Sequence, residues 1–210
     1  MATVCTGFDM YYENWHQDLY RLCLVLCRNP RDAGQLVFEA FLRLGAAGNR
    51  AIGEEEAKSL LFSCAIRLCD DYYLRRMRKR PSRAAMEACG LPFQITDALW
   101  NLMSLPFKKR AALCLMHAGF SPSGAARMAH LHAAPAASEE LFAALSSIWM
   151  PQEDAQALSD RVYERFSERS VAFENRLHAM KSSLDHAAPY LALGVVALFL
   201  FAIWFSSRMA

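Results

Sequence analysis

Apolar residues recur at three- and four-residue spacing along most of the chain, and no segment alternates apolar and polar residues with period two. The first spacing gathers apolar side chains on one face of an α-helix, whereas strict alternation is typical of a half-buried strand. The sequence therefore predicts an all-α protein. Long helices are expected over residues 9–28, 30–44 and 54–79, short helices over 97–104, 106–118, 122–131 and 135–147, and a last amphipathic helix over 152–184.

The breaks between these helices predict the domain organisation. Asn29 and Pro30 end the first helix and open the second, because proline is tolerated in a first helical turn. Residues 81–96 contain two prolines and a glycine and are predicted to be a linker. It separates a first helical domain, residues 1–80, from a second, residues 97–150, whose short helices and tight turns suggest a helix-turn-helix unit. Residues 151–185 form the amphipathic connecting helix.

A long uncharged segment follows the connecting helix. Residues 186–207 carry no formal charge and are mostly apolar from Tyr190 onward. A helix of that length extends roughly 33 Å, which matches the hydrocarbon thickness of a bilayer. Arg169, Arg176 and Lys181 precede the segment and Arg208 follows it, so the positive-inside rule places the N-terminal domains in the cytoplasm. The sequence predicts a single-pass protein of the cell membrane.

Composition excludes several classes of protein. With 54% hydrophobic residues in 210, the chain is not intrinsically disordered. The seven cysteines are odd in number and form no C-x-x-C pair, so neither a disulfide framework nor a zinc site is expected. No spacing indicates a nucleophile with its base, and no glycine-rich loop indicates phosphate binding. We therefore expect no catalytic residues, no metal, no cofactor and no enzymatic activity.

The positive charge is concentrated at the end of the third helix. The chain as a whole carries a net charge of +2, yet six of its 23 Lys and Arg residues lie between positions 75 and 83. Tyr72, Arg76 and Lys79 share one helical face, and aromatic rings beside guanidinium groups are typical of nucleic-acid surfaces. Two other interpretations remain open: solvated cations that complement the helix dipole, and contact with a membrane surface.

The second helix is apolar on nearly all sides. In its second half only Glu39 and Arg43 form a polar strip, at i,i+4 spacing. A helix of this kind is either buried on most sides or presents part of its surface to a protein partner. Nearer the middle of the chain, Lys108, Lys109 and Arg110 oppose the dipole of the helix that they begin, so they are expected to bind an outside anion or to be solvated.

Several segments between residues 10 and 145 resemble the bacterial extracytoplasmic-function type of RNA polymerase sigma factor. The first domain contains L-Y-R-L at 19–22, N-P-R-D-A at 29–33, L-V-F-E-A-F-L-R-L at 36–44 and A-I-R-L at 65–68, with Y-L-R-R at 73–76. These resemble the region-two motifs of that family. The second domain contains Leu105-Pro106 with Arg110 and G-F-S at 119–121, which resemble its region-four motifs.

The resemblance implies specific partners and sites. Such proteins bind the clamp of core RNA polymerase through the second helix, open the promoter −10 element with the third, and read the −35 element with the second domain. The resemblance implies polymerase contacts by Leu36, Val37, Glu39, Phe41 and Arg43. It implies DNA contacts by Arg67, Tyr72, Tyr73, Arg75, Arg76, Arg78, Lys79 and Arg80. The expected partners are core polymerase, promoter DNA and, through the C-terminal helix, the lipid bilayer, with an anti-sigma or signalling protein as a further candidate.

A second function remains open at this point. Residues 128–160 contain no Lys or Arg, and the helix that would read DNA in the second domain carries Glu139 and Glu140 near its start. An acidic helix end repels phosphates. The alternative is therefore a membrane-tethered interaction module that binds polymerase or another regulator without reading promoters.

Overall fold

The computed structural model describes residues 2–47, 53–76, 82–89, 91 and 93–168. All regular secondary structure within these residues is helical, which confirms the all-α prediction. The helices are α1 (Ala2–Cys27), α2 (Pro30–Ala47), α3 (Glu54–Arg76), α4 (Arg83–Glu87), α5 (Asp97–Ser104), α6 (Phe107–His117), α7 (Pro122–Met128) and α8 (Glu139–Ser146). Residues 152–168 are also helical and are called α9 below.

The turn between α1 and α2 is built as its sequence predicts. Arg28 adopts a left-handed backbone conformation with φ of 59°, which ends α1. The side-chain Oδ1 of Asn29 then accepts a hydrogen bond from the backbone N–H of Arg31 at 3.0 Å, so Asn29 is the N-cap of α2. Pro30 is the first helical residue of α2.

The hydrophobic core of the first three helices is centred on α1, which packs against both α2 and α3. The apolar residues of α1 that recur at three- and four-residue spacing are buried: Tyr12, Trp15, Leu19, Leu22, Val25 and Leu26. Phe41 from α2 and Phe62 from α3 are completely buried as well. Burying aromatic and leucine side chains of this size supplies the main stabilisation of such a bundle.

The helix α1 also packs against α5 and α6, so the first and second predicted domains are in contact. Residues 1–163 form one compact unit, and residues 164–210 form another. Of the latter, the structure describes residues 164–168, where Arg165 Nη1 lies 2.8 Å from Glu168 Oε2. The predicted division into domains at residues 81–96 stays a prediction.

Two connections differ from the sequence-based expectation. The predicted linker contains the short helix α4, which Ser82 caps by accepting from the backbone N–H of Ala85 at 3.2 Å. The predicted tight connection between α7 and α8 is wrong, because ten residues separate Met128 from Glu139. His130 adopts a left-handed backbone conformation with φ of 54°, and α7 ends earlier than the sequence predicts. Ser138 caps α8, so that helix begins four residues later than predicted.

The predicted membrane span, residues 186–207, lies outside the described residues, and so do residues 169–185 of the predicted connecting helix. Among the helices that the structure describes, none combines the length and the hydrophobicity needed to cross a bilayer.

Candidate nucleic-acid and partner-binding surfaces

The helix α3 carries the residues predicted to contact DNA. Arg67 is exposed, and Tyr72 is half-buried. The Tyr72 hydroxyl donates a hydrogen bond to the Asp32 carboxylate in the first turn of α2. This bond joins α3 to α2 and fixes the orientation of the Tyr72 ring.

The remaining predicted DNA contacts follow Tyr72 in the sequence. The structure describes only the helical backbone of Tyr73, Arg75 and Arg76, which form the last turn of α3. The other three, Arg78, Lys79 and Arg80, lie outside the described residues. The assignment of these six residues to a DNA surface therefore stays a prediction.

Two acidic residues of α3 lie among the predicted DNA contacts in the sequence. Asp70 and Asp71 are both exposed and stand between Arg67 and Tyr72 along the helix. Carboxylates at these positions oppose the approach of a phosphate backbone, whereas the cations after Tyr72 attract it. A phosphate backbone that approaches α3 is therefore drawn toward the C-terminal end of the helix.

The residues predicted to bind polymerase divide into two groups on α2. Leu36, Val37 and Phe41 are buried, and Phe41 lies against the ring of Tyr12 with ring centroids 5.1 Å apart. In contrast, Glu39 is half-buried and Arg43 is exposed. A partner that approaches α2 meets its polar strip, because the apolar side chains of α2 face the core.

Arg161, from the part of α9 that belongs to the first unit, contacts the same part of α2. The guanidinium carbon of Arg161 stands 4.6 Å from the centroid of the Phe38 ring. Its Nη2 donates a hydrogen bond to the Gln35 side-chain Oε1 at 3.3 Å. Gln35 also donates from Nε2 to Glu39 Oε1 at 3.3 Å. These contacts bring Gln35, Phe38 and Glu39 of α2 together with Arg161, which lies more than 120 positions later in the sequence.

The first turn of α8 is acidic and exposed. Glu139 and Glu140 both face solvent, as suits the N-terminal end of a helix dipole. The ten-residue connection before α8 is longer than the three to four residues typical of a helix-turn-helix. Neither feature favours DNA reading by this helix.

The structure reveals two buried arginines that join α1 to α5 and α6. Arg110 is only 1% exposed, and its Nη1 donates to the Val25 carbonyl at 2.6 Å. Arg28 is buried as well, and its Nη2 donates to the Met103 carbonyl near the end of α5. Each cation thus meets the carbonyl end of a helix, where the dipole favours positive charge. The expectation that Arg110 binds an outside anion or is solvated is wrong, whereas Lys108 and Lys109 are exposed.

Three cysteine thiols are held in their protonated form by the core. Burial raises the pKa of Cys114 to about 12, despite the nearby Arg110. Burial also raises the pKa of Cys27, and a hydrogen bond with Cys23 together with burial does the same for Cys69. Because the thiolate is the form that reacts and binds metals, these side chains are inert apolar groups here. The described residues contain no cluster of His, Cys, Asp and Glu suited to a metal ion.

His117 lies between a serine and an aspartate, an order that resembles a catalytic triad. Its Nε2 is 3.0 Å from the Ser146 hydroxyl, and its Nδ1 is 3.7 Å from Asp18 Oδ1. The Ser146 hydroxyl donates to the Phe142 carbonyl of its own helix at 2.9 Å, a common bond for a helical serine. The contact between His117 and Ser146 joins α6 to α8.

Comparison with known proteins gives no relative for this chain. No family model, no curated protein and no solved structure matches it.

Proposed function

We propose that the protein is a membrane-anchored, sigma-factor-like protein that directs RNA polymerase to promoters. The proposal rests on the motif resemblance across residues 10–145 and on the concentration of cations at 75–83. One structural observation supports it most directly. The helix α3 runs without a break from Glu54 to Arg76, packs on α1 and α2, and leads into that cationic segment.

In this proposal the end of α3 opens the promoter −10 element. An unstacked base is captured on an aromatic face while neighbouring cations hold the phosphates. Tyr72 is held by its bond to Asp32, which supports a fixed ring at the start of that surface. Arg75 and Arg76 are the cations nearest to it that belong to α3. Because each neutralised phosphate releases counterions, binding should weaken steeply with salt.

The test is promoter-directed transcription with the full chain in detergent, core polymerase and genomic DNA, followed by sequencing of the RNA 5′ ends. We expect discrete start sites that share an upstream element. The double variant Arg75→Ala with Arg76→Ala should lose these starts, because it removes two cations from the DNA surface. The matched control is Lys108→Ala with Lys109→Ala, which removes two exposed cations from α6 and should keep them.

Two results would contradict the proposal. The first is an absence of starts above those of core polymerase alone. The second is unchanged promoter output from the Arg75 and Arg76 double variant.

The alternative function is a membrane-tethered module that binds polymerase or another regulator without reading promoters. The exposed Glu139 and Glu140 favour it, because an acidic helix start is unsuited to the major groove. The same two double variants separate the alternatives. Under this alternative, the chain binds its protein partner equally well with and without Arg75 and Arg76, and it yields no promoter-specific RNA.

A further inference from the structure

The second half of the first compact unit, residues 97–163, lies along α1 in a contact that is called the α1 seam below. Near its start, the Tyr12 hydroxyl donates to the Ala155 carbonyl at 2.6 Å. Farther along α1, Gln17 donates to the Met150 carbonyl at 3.2 Å and accepts from the Met150 backbone N–H at 2.9 Å. These bonds join side chains of α1 to the backbone of the segment that follows α8.

The α1 seam continues to the C-terminal end of the helix. Three further bonds cross it, in which arginine side chains donate to backbone carbonyls: Arg21 to Ile148, Arg110 to Val25 and Arg28 to Met103. Arg28 and Arg110 cross the seam in opposite directions, so each half supplies a buried cation to the carbonyl end of a helix in the other. From Tyr12 to Arg28 the seam extends roughly 24 Å at 1.5 Å per residue. Contacts spread over this length hold the second half along α1 as a whole.

Aromatic packing joins the second half to α3 as well. The Phe120 ring, in the turn between α6 and α7, meets the Phe62 ring of α3 edge-on, with ring centroids 5.2 Å apart. Lys58 of α3 also lies over the Phe120 ring, with its Nζ 5.1 Å from the centroid. The helix that leads into the cationic segment is therefore held to residues 97–163 by direct contacts.

The size of this unit limits how much promoter DNA it can reach. A compact unit of 163 residues is about 40 Å across, by the general scaling of the radius of gyration with chain length. The −10 and −35 elements are about 25 base pairs apart, which is roughly 85 Å of B-DNA. To bring both elements to the unit, the DNA would have to bend by more than roughly 180°, whereas proteins that bend DNA strongly reach about 90°. The unit therefore contacts one element at a time.

The distribution of charge indicates which element that is. Residues 128–160 contain no Lys or Arg, and Glu139 and Glu140 are exposed at the start of α8. Six cations lie between positions 75 and 83, directly after α3 begins its last turn. Because phosphates are attracted to cations and repelled by carboxylates, DNA is drawn to the end of α3 and not to α8.

From these observations we infer that the chain recognises promoters through the −10 element alone and that residues 97–163 brace α1 and α3 instead of contacting −35 DNA. The inference rests on the proposed function, because it concerns the same DNA surface. The brace does not depend on that function, since its contacts are present in the chain without DNA. The substrate class is therefore promoters with a single recognition element.

Promoter templates test the single element. Promoters found by sequencing of RNA 5′ ends are rebuilt with either the −10 or the −35 block replaced by unrelated sequence, and are transcribed by core polymerase with the full chain in detergent. Replacing the −10 block should lower the output by about fivefold or more for each mismatched base pair. Replacing the −35 block should leave the output unchanged within error.

Matched charge variants test which helix lies near the DNA. Asp70→Lys with Asp71→Lys changes two exposed carboxylates of α3, and Glu139→Lys with Glu140→Lys changes two exposed carboxylates of α8. Each variant, bound to core polymerase, is titrated with promoter DNA at several salt concentrations. The α3 variant should steepen the salt dependence of the Kd by about one released counterion or more, because its added cations neutralise phosphates. The α8 variant should match the unaltered chain.

The brace is tested without DNA or polymerase. A recognition sequence for a site-specific protease is inserted between Ala88 and Cys89, which are both exposed, and the folded full chain is then cut in detergent. We expect the two pieces to elute together in size-exclusion chromatography, because the α1 seam holds them. Hydrogen exchange of the unaltered chain gives a second measurement: the amides of α1 and α6 should show equal protection, as expected for one cooperative unit.

The outcomes separate this inference from the proposed function. Output that depends on the −35 block, or a steeper salt dependence in the α8 variant, overturns recognition through one element. Separation of the cut pieces, or unequal protection of α1 and α6, overturns the brace. Absence of promoter-specific RNA from every template, or a salt dependence that changes in neither lysine variant, contradicts the proposed function and the promoter class with it, even where the pieces stay together.

Discussion

Arg110 provides the sharpest test of how the helices are held together. Its guanidinium is buried between α6 and the carbonyl end of α1, with Nη1 2.6 Å from the Val25 carbonyl. Arg110→Ala leaves that carbonyl without this donor and opens a space in the core. Arg110→Met keeps most of the side-chain volume and removes the guanidinium with its hydrogen bonds, including those to the Val25 and Leu26 carbonyls.

The expected magnitudes follow from these contacts. A hydrogen bond from a charged donor contributes about 1.5–3 kcal/mol. The two methylenes lost in the alanine variant contribute about 0.8 kcal/mol each. Burying a charge costs free energy, so removing the guanidinium offsets part of this loss in stability. We therefore expect the free energy of unfolding to fall by about 3 kcal/mol for Arg110→Ala and by about 1.5 kcal/mol for Arg110→Met.

The assay is urea unfolding of the full chain in mild detergent, followed by tryptophan fluorescence, since Trp15 is buried in the core beside these helices. Lys109→Ala is the control, because Lys109 is exposed and adjacent in sequence. It should change the free energy of unfolding by less than about 0.5 kcal/mol. Equal stability of Arg110→Ala and Lys109→Ala would refute the reasoning, because it would mean that the buried bond contributes nothing.

Two further predictions concern polar links between helices. Burial and the nearby Arg21 lower the pKa of His117, while Asp18 raises it less. The unfolded chain therefore binds a proton more readily, so the stability that His117 contributes is present above pH 6.5 and is lost as the pH falls below it. Urea unfolding between pH 7 and about pH 5 should show a shallower pH slope in His117→Gln. An unchanged slope would contradict this, and His132→Gln, at an exposed position, is the control. For the link between α2 and α3, a double-mutant cycle of Tyr72→Phe and Asp32→Ala should give a coupling of about 1 kcal/mol or more. A coupling near zero would show that the hydroxyl–carboxylate bond does not stabilise the fold.

The helices themselves were predictable because their signals are local. Periodic apolar spacing marks the buried stripe of α1 without knowledge of what it packs against. Capping is equally local, since Asn29 and Ser121 each bond to backbone N–H groups within three residues. The early end of α7 was missed because it depends on a left-handed turn at His130, a residue type that does not mark such a turn as glycine does.

The candidate surfaces could be predicted only in part. The sequence identified α3 and the cations that follow it, because that signal is the concentration of charge along the chain. It left open whether α2 is buried or presents its surface to a partner. The structure buries Leu36, Val37 and Phe41 and leaves Arg43 exposed. Which side of an apolar helix is covered depends on its neighbours in space, and these are set by long-range packing.

The sequence by itself determined the helical class, the order of the helices and the place where positive charge accumulates, because propensity, periodicity and charge are properties of neighbouring residues. Only the tertiary structure decided that Arg110 is buried against Val25 and that Arg161 lies over Phe38. Each of these pairs is separated by more than 80 positions. The environment of a charged side chain depends on which carbonyls or rings the fold brings to it, and residue type alone does not specify that environment.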